Sequence, residues 1–222
     1  NVKAGTAILA EEQHMDVYET LTRDYEVMYI AGGATQNTCR VAQWMLKAAG
    51  TTTDTTCQVA YMGCVGMDAY AMTLEECAKK DGVFVHYMKH PSVPTGTCAA
   101  LIVDRERALI ANLAAANEFQ ASHLDNDISK EIINSMQIYY SAGFFLTVAP
   151  DAFQKVAQHC VANKKTVAVN LSAPFIVEFF KDPLAMAIEY ADYVFGNETE
   201  AETYARVHGF ETTDLKALAL IV

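Results

Sequence analysis

No run in the 222 residues approaches the ~20 consecutive apolar positions that a membrane-crossing helix needs, the longest being stretches as short as Cys98 to Val103. No membrane span is expected, and no signal-peptide pattern is visible. Basic residues are also scarce. The 16 Lys+Arg against 27 Asp+Glu leave a net charge of −11, without any basic cluster interleaved with aromatics. Nucleic acid and anionic membrane surfaces are therefore not expected as partners. The six cysteines, at 39, 57, 64, 77, 98 and 160, form no Cys-x-x-Cys pair, which argues against a structural zinc site and a disulfide scaffold. They read as buried thiols of a reducing compartment, and a cytoplasmic location is expected. The Gly-x-Gly-x-x-Gly spacing is missing as well: Gly63-Cys64-Val65-Gly66 follows an apolar run but cannot satisfy it, so an oxidoreductase is the weaker reading. There is no internal repeat, low-complexity segment or Pro/Gly/Ser linker.

What is present is globular. Hydrophobic residues make up 52% and charged residues 19%, enough apolar material for one sizeable α/β domain over 1–222. Strand and helix patterns alternate. Val59 to Cys64 reads as a buried strand before a helix through Leu74 to Lys80, and Val83 to His86 as a second strand. The alternation resumes with strand Gln137 to Ser141, helix Pro150 to Asn163, strand Thr166 to Asn170, and helical turns around Phe175 to Phe180 and Leu184 to Glu189. Strand Tyr193 to Gly196 and helix Glu198 to Val207 follow. Repeated βα units predict a parallel sheet covered by helices on both faces, with a core around 37–91 and 114–222. By contrast, Thr97 to Val103 and Ala108 to Leu113 flank the charged turn Asp104-Arg105-Glu106-Arg107 with no helix between them. That hairpin suits a small lid at 95–113, with Thr6 to Leu9 and Val27 to Ile30 as partner strands. The chain starts at Asn1 without methionine and closes on the apolar Ala217 to Val222, and is expected to be part of a longer polypeptide.

Three segments invite chemistry. Ala31-Gly32-Gly33-Ala34-Thr35-Gln36-Asn37 precedes a helical pattern through Val41, Trp44, Met45 and Ala48. Paired glycines let backbone approach a ligand closely, and a helix start offers free N–H groups; an ordinary loop and helix start is the alternative. Asn37 is either a polar ligand group or a first-turn residue. Asn197 and Glu200 have capping-box spacing, and a carboxylate so placed also suits a cation. Phe144-Phe145 follow a strand at its carboxyl end, where α/β sheets bind ligands, although aromatics there are commonly core. The sequons Asn170-Leu171-Ser172 and Asn197-Glu198-Thr199 are too short to carry weight.

Ala31-Gly32-Gly33 with Asn37 resembles the first signature of the ribokinase (PfkB) carbohydrate kinase family, and Thr35-Gln36-Asn37 through Arg40-Val41-Ala42-Gln43-Trp44-Met45 is similar to the members that phosphorylate adenosine. Pro94 to Ala100, Leu109 to Asn117, Ala142 to Val148, Asn170 to Phe175 and Gly196 to Ala201 agree in the same order. The resemblance implies a ribokinase-like three-layer doubly wound parallel sheet with a small β lid. It also implies transfer of the ATP γ-phosphoryl group, with Mg²⁺, to the 5′-hydroxyl of adenosine by a monomer. The alternatives are another sugar or nucleoside kinase of the family, or a nucleoside-binding protein without catalysis.

By the same resemblance, Gly32, Gly33 and Asn37 meet the ribose. Leu109, Ala111 and Leu113, with Cys98 on the partner strand, pack on the base, and Phe145 stacks on the adenine. Arg107 stabilises the transferring phosphoryl group as the catalytic cation, whereas Arg105 beside it reads as solvated. Asn170, Asn197 and Glu200 face the phosphates, and Glu200 holds the metal through water. Two family segments are absent from these residues: the Gly-Ala-Gly-Asp stretch that carries the catalytic base, and the Asn-Pro-Leu-Leu-Asp strand that grips the ribose. Ala71, where relatives carry glycine, is a minor departure.

Overall fold

The computed structural model describes residues 7–50, 58–103 and 106–210. They fall into two compact units, 1–119 and 120–222. In the first, β1 (Ala7–Leu9) is followed by α1 (Met15–Asp24), α2 (Ala34–Ala48), β2 (Ala60–Gly66), α3 (Ala69–Lys80), β3 (Phe84–His90), β4 (Thr97–Val103) and β5 (Glu106–Asn112). Strands β2 and β3 pair in parallel across α3, from Ala60 opposite Phe84 to Gly66 opposite His90. Val65, Ala71, Ala78, Val83, Val85 and Tyr87 form the core between that pair and α3. Tyr61 packs edge-on against Tyr87 there, its ring 5.9 Å away, and burial pushes its hydroxyl up to about 12.

Asp68 fixes the start of α3. One carboxylate oxygen accepts from the Ala71 N–H at 2.9 Å and from the Thr95 hydroxyl at 2.7 Å; the other accepts from the Thr95 N–H at 2.7 Å. The Thr95 hydroxyl in turn accepts from the Gly66 N–H at 3.0 Å. A side chain at Gly66 would meet the Thr95 nitrogen and the Val93 carbonyl at 2.7 Å, so glycine is required by this close approach.

The lid is a three-stranded sheet in the order β1-β5-β4. Strands β4 and β5 are antiparallel, and β1 joins β5 in parallel with Ala7 opposite Leu109. The predicted partner strand at Thr6 to Leu9 is therefore present in its described part, Thr6 lying outside the described residues. Val27 to Ile30 is not a strand. Its apolar side chains are exposed, Ile30 at 76%. Leu113 also leaves the expected strand: β5 ends at Asn112, and Leu113 has helical backbone angles at the start of a short 3-10 turn. Asp104 and Arg105 lie outside the described residues.

The second unit contains α4 (Asp127–Ser135), β6 (Ile138–Ala142), α5 (Gly143–Leu146), α6 (Pro150–Ala162), β7 (Thr166–Asn170), α7 (Pro174–Phe179), α8 (Lys181–Tyr190), β8 (Tyr193–Phe195) and α9 (Glu198–His208). Its strands are all parallel in the order β6-β7-β8. The central strand carries consecutive buried residues Val167, Ala168 and Val169, the continuous apolar pattern of a strand covered on both faces. Leu146, Phe153, Ala157, Cys160, Leu171, Val177, Leu184 and Ala187 complete the core. Pro150 opens α6 at a position that needs no N–H, and Gly209, in the left-handed region, closes α9.

Helix α2 is built against its own amphipathic pattern. Its buried residues are Gln36 and Gln43, while Val41, Trp44 and Met45, which share one face at i, i+3 and i+4, are exposed, Trp44 by 67%. Gln36 Nε2 and Gln43 Oε1 are buried without a partner among the described residues, an arrangement that normally costs stability.

Candidate active site

The Gly-Gly loop and the start of α2 hold the first group of candidate residues. Gly33 is the N-cap residue with φ 102°, a conformation that side chains other than glycine rarely adopt. It leaves the early N–H groups of α2 without side-chain capping, available to an oxygen-rich ligand. Asn37 is exposed one turn into the helix, and its Oδ1 accepts from Arg40 Nη1 at 3.2 Å. It is not the cap. Gln36, beside it, is buried, with its Oε1 accepting from the Tyr87 hydroxyl on β3.

The lid holds the second group. Cys98 is opposite Ala111, Ala100 opposite Leu109 and Ile102 opposite Arg107. Alternation places these six side chains on one face of the hairpin and Ala99, Ala108 and Ile110 on the other. Ala99, Ala108 and Ile110 are buried, whereas Leu109 and Ala111 are only half-buried and Cys98 is exposed. The face holding the predicted base-contact residues is thus the open one. It is no part of the packed core, which also corrects the expectation that the thiols are all buried: Cys98 is exposed, Cys39 and Cys77 are partly so, and Cys57 lies outside the described residues. Arg107, expected in a turn, is the second residue of β5 and continues the Leu109–Ala111 face. On this face the backbone positions of Leu109 and Ala111 follow that of Arg107 by roughly 7 and 13 Å, at about 3.3 Å per residue, so a guanidinium and an apolar surface lie along one strand.

In the second unit the candidates gather at the carboxyl ends of the parallel strands, where α/β sheets leave room for a ligand. Asn170 ends β7, its Oδ1 accepting from the Ser172 N–H at 2.7 Å. Ser172 adopts φ 69°, rare for a residue with a side chain, and its hydroxyl accepts from the Gly143 N–H at 2.8 Å. A side chain at Gly143 would meet the carbonyls of Leu171 and Asn170 at 2.7 and 2.9 Å. Ser172 therefore ties the ends of β6 and β7 together, a role whose sequence trace was only the sequon. Phe145, two residues beyond Gly143, is half-buried and packs against the Leu146–Phe153 core; Phe144 lies against Phe175 instead, with ring centroids 5.9 Å apart.

Asn197 and Glu200 form a reciprocal capping box at the start of α9. The Glu200 N–H donates to Asn197 Oδ1 at 2.9 Å, and the Asn197 N–H donates to Glu200 Oε2 at 3.1 Å. Asn197 Nδ2 holds the other carboxylate oxygen at 3.0 Å. Burial raises the Glu200 pKa, opposed by the Asn197 backbone bond. Among the described residues no three His, Cys, Asp or Glu side chains converge as a metal cage. Magnesium keeps most of its waters and relies on substrate phosphates plus one or two carboxylates, so Glu200, with lone pairs left after capping, fits a water-mediated contact and not a multidentate one. A cavity of about 150 Å³ elsewhere in this unit is lined by Leu124, Ile133, Lys155, Val156 and His159 among others, none of them a candidate.

The chain is 46% identical to adenosine kinase 1 of Arabidopsis thaliana over 99% of its length and 62% of the relative's. It is 43% identical to the Dictyostelium discoideum adenosine kinase over 92% of its length and 58% of that relative's. It therefore spans about three fifths of the relatives it matches. The structure superposes on Anopheles gambiae adenosine kinase in complex with P1,P4-di(adenosine-5) tetraphosphate with a TM-score of 0.90 at 41% identity, covering 98% of this chain and 63% of that one. Schistosoma mansoni adenosine kinase in complex with adenosine, in an occluded loop conformation, gives 0.90 at 32% identity, covering 99% and 62%. The fold is ribokinase-like. With the pfkB family carbohydrate kinase model matching residues 2–222, the chain belongs to that family.

Proposed function

We propose that the intact protein is an adenosine kinase, transferring the γ-phosphoryl group of ATP to the 5′-hydroxyl of adenosine to give AMP in purine salvage. The observation that carries this reading is the open lid face, on which Cys98, Leu109 and Ala111 offer an apolar plane to a base while Arg107, on the same face, offers a two-pronged donor to phosphate oxygens. The similarity to adenosine kinases over nearly the whole chain supports it. A bare sugar would call for more hydroxyl-binding groups on that face.

Each residue then has a role. Gly32 and Gly33 let the ribose approach the backbone, and Asn37 binds a ribose hydroxyl. Leu113, just past the strand, borders the base. Phe145 stacks on the adenine, and Arg107 meets charge developing on the transferring group. Asn170, Asn197 and Glu200 serve the phosphates, with Mg²⁺ neutralising their charge when bound. No helix among the described residues is long and apolar enough to cross a membrane; a cytoplasmic monomer is the setting we assign.

The test is AMP formation. The full-length protein should convert adenosine and ATP to AMP. The 222-residue chain should not, because without the Gly-Ala-Gly-Asp segment it lacks the general base and anion hole of the family. Turnover by the short chain would show the catalytic centre to be misplaced, and adenosine left untouched by the full-length protein would refute the reading.

Phe145→Ala in the full-length protein should weaken adenosine binding by about 1–3 kcal/mol, the scale of a base stacked on an aromatic ring, and ATP binding by less. Its half-buried packing also predicts a lower melting temperature. Equal loss of both ligands in calorimetry would reduce Phe145 to a core residue.

A further inference from the structure

Arg40 lies one turn beyond Asn37 on α2 and bonds to three separate pieces of chain. Its Nη1 donates to the carbonyl of Ala31 at 3.3 Å and to Asn37 Oδ1 at 3.2 Å. Its Nε donates to Asp81 Oδ2, in the residue that follows α3, at 2.5 Å. Arg40 is about one-third exposed, and so is Asp81. An ion pair in such a place adds little to stability, so the consequence of this arrangement is geometric.

We infer that Arg40 is a positioning residue for nucleoside recognition, setting both the orientation of the Asn37 carboxamide and the path of the backbone into Gly32-Gly33. This rests on the adenosine kinase reading. A guanidinium has five donors and no acceptor, so the Asn37 atom facing it must be the carbonyl oxygen. The amide nitrogen is thereby the end left for a ligand, and it donates to a ribose hydroxyl oxygen. The second bond from the same Nη1 holds the carbonyl immediately before the Gly-Gly pair, the one stretch of the loop whose conformational freedom is greatest. Asp81 anchors the fork from the opposite side, so the loop, the helix start and the end of α3 are fixed to one another before ligand arrives. Preorganisation of this kind removes the entropy cost of freezing a free side chain and a free loop on binding. It touches the nucleoside side of the reaction only, and leaves the phosphoryl-transfer step to other residues.

The experiment is steady-state kinetics on the full-length protein, with adenosine and ATP varied separately and adenosine binding measured by calorimetry. Arg40→Ala should raise the adenosine KM and Kd about tenfold, the scale expected from losing one or two preordered groups, while kcat and the ATP KM stay within about twofold. Arg40→Lys keeps the charge without the fork and should recover most of the lost affinity through a single bond to Asn37. It also serves if Arg40→Ala proves unstable. Asp81→Asn should shift the adenosine KM in the same direction by a smaller factor. Unchanged adenosine KM in Arg40→Ala, or a parallel fall in kcat and in the affinities for both substrates, would overturn the positioning role while leaving the kinase reading intact. A full-length protein that neither binds adenosine nor makes AMP would overturn both.

Discussion

Replacing Arg107 with lysine is expected to lower kcat of the full-length protein roughly ten- to a thousandfold while the adenosine Kd stays nearly unchanged. Lysine preserves the charge but loses the planar fork that matches two phosphate oxygens. Arginine contributions to phosphoryl transfer are realised mainly where charge accumulates in the transition state. Arg107 sits on the open lid face and not at the tip of the hairpin. The same substitution at Arg105, which lies outside the described residues, should do little. Comparable rates for the two variants would remove Arg107 from catalysis, and a raised KM with unchanged kcat would make it a ground-state contact only.

Gly33→Val in the full-length protein should reduce adenosine affinity by at least about two orders of magnitude, the scale of a displaced binding group, with the fold retained. At φ 102° a β-branched residue is strained wherever space exists. Here space does exist, the nearest atom to an added Cβ being the Gln36 Cβ at 3.8 Å. The loop therefore moves instead of the core. Gly32→Ala is the informative partner: its backbone is ordinary and its nearest neighbour is the Ile30 carbonyl at 3.9 Å. The protein alone tolerates alanine there, so any affinity lost reports the ligand's own approach. Wild-type affinity in a folded Gly33→Val protein would take this loop out of the site.

Much of the fold could be read from local pattern. Strand β7 is a run of β-branched and small apolar residues bounded by polar ones, and it forms at Thr166–Asn170 as expected. The hairpin was marked by two apolar runs around a charged turn, and the start of α9 by Asn and Glu three apart. What escaped depends on partners distant in sequence. Val27 to Ile30 has the composition of a strand but pairs with none of the described strands. Leu113 continues an alternating pattern, yet the chain turns at Ala114, which takes φ 41°, and a side chain at Gly96 would meet the Leu113 carbonyl at 2.6 Å. Helices α1 and α4 are short, α1 burying no residue fully and α4 only Ser129, Ile132 and Ile133, and neither was anticipated from the sequence. Ser172 and Arg40 act through bonds to Gly143 and Asp81, residues 29 and 41 positions away, which no local window contains.

The inverted helix α2 also makes the protein its own optical gauge. Trp44 is the sole tryptophan in the chain, and it stands on the exposed apolar face with Val41 and Met45. Its fluorescence therefore reports one surface without interference from any other indole. Emission toward the red and ready quenching by iodide mark that face as wet, and a blue shift with loss of quenching marks the moment anything apolar settles on it. Titration of the 222-residue chain can thus be followed at a single, unlabelled position one turn beyond Arg40.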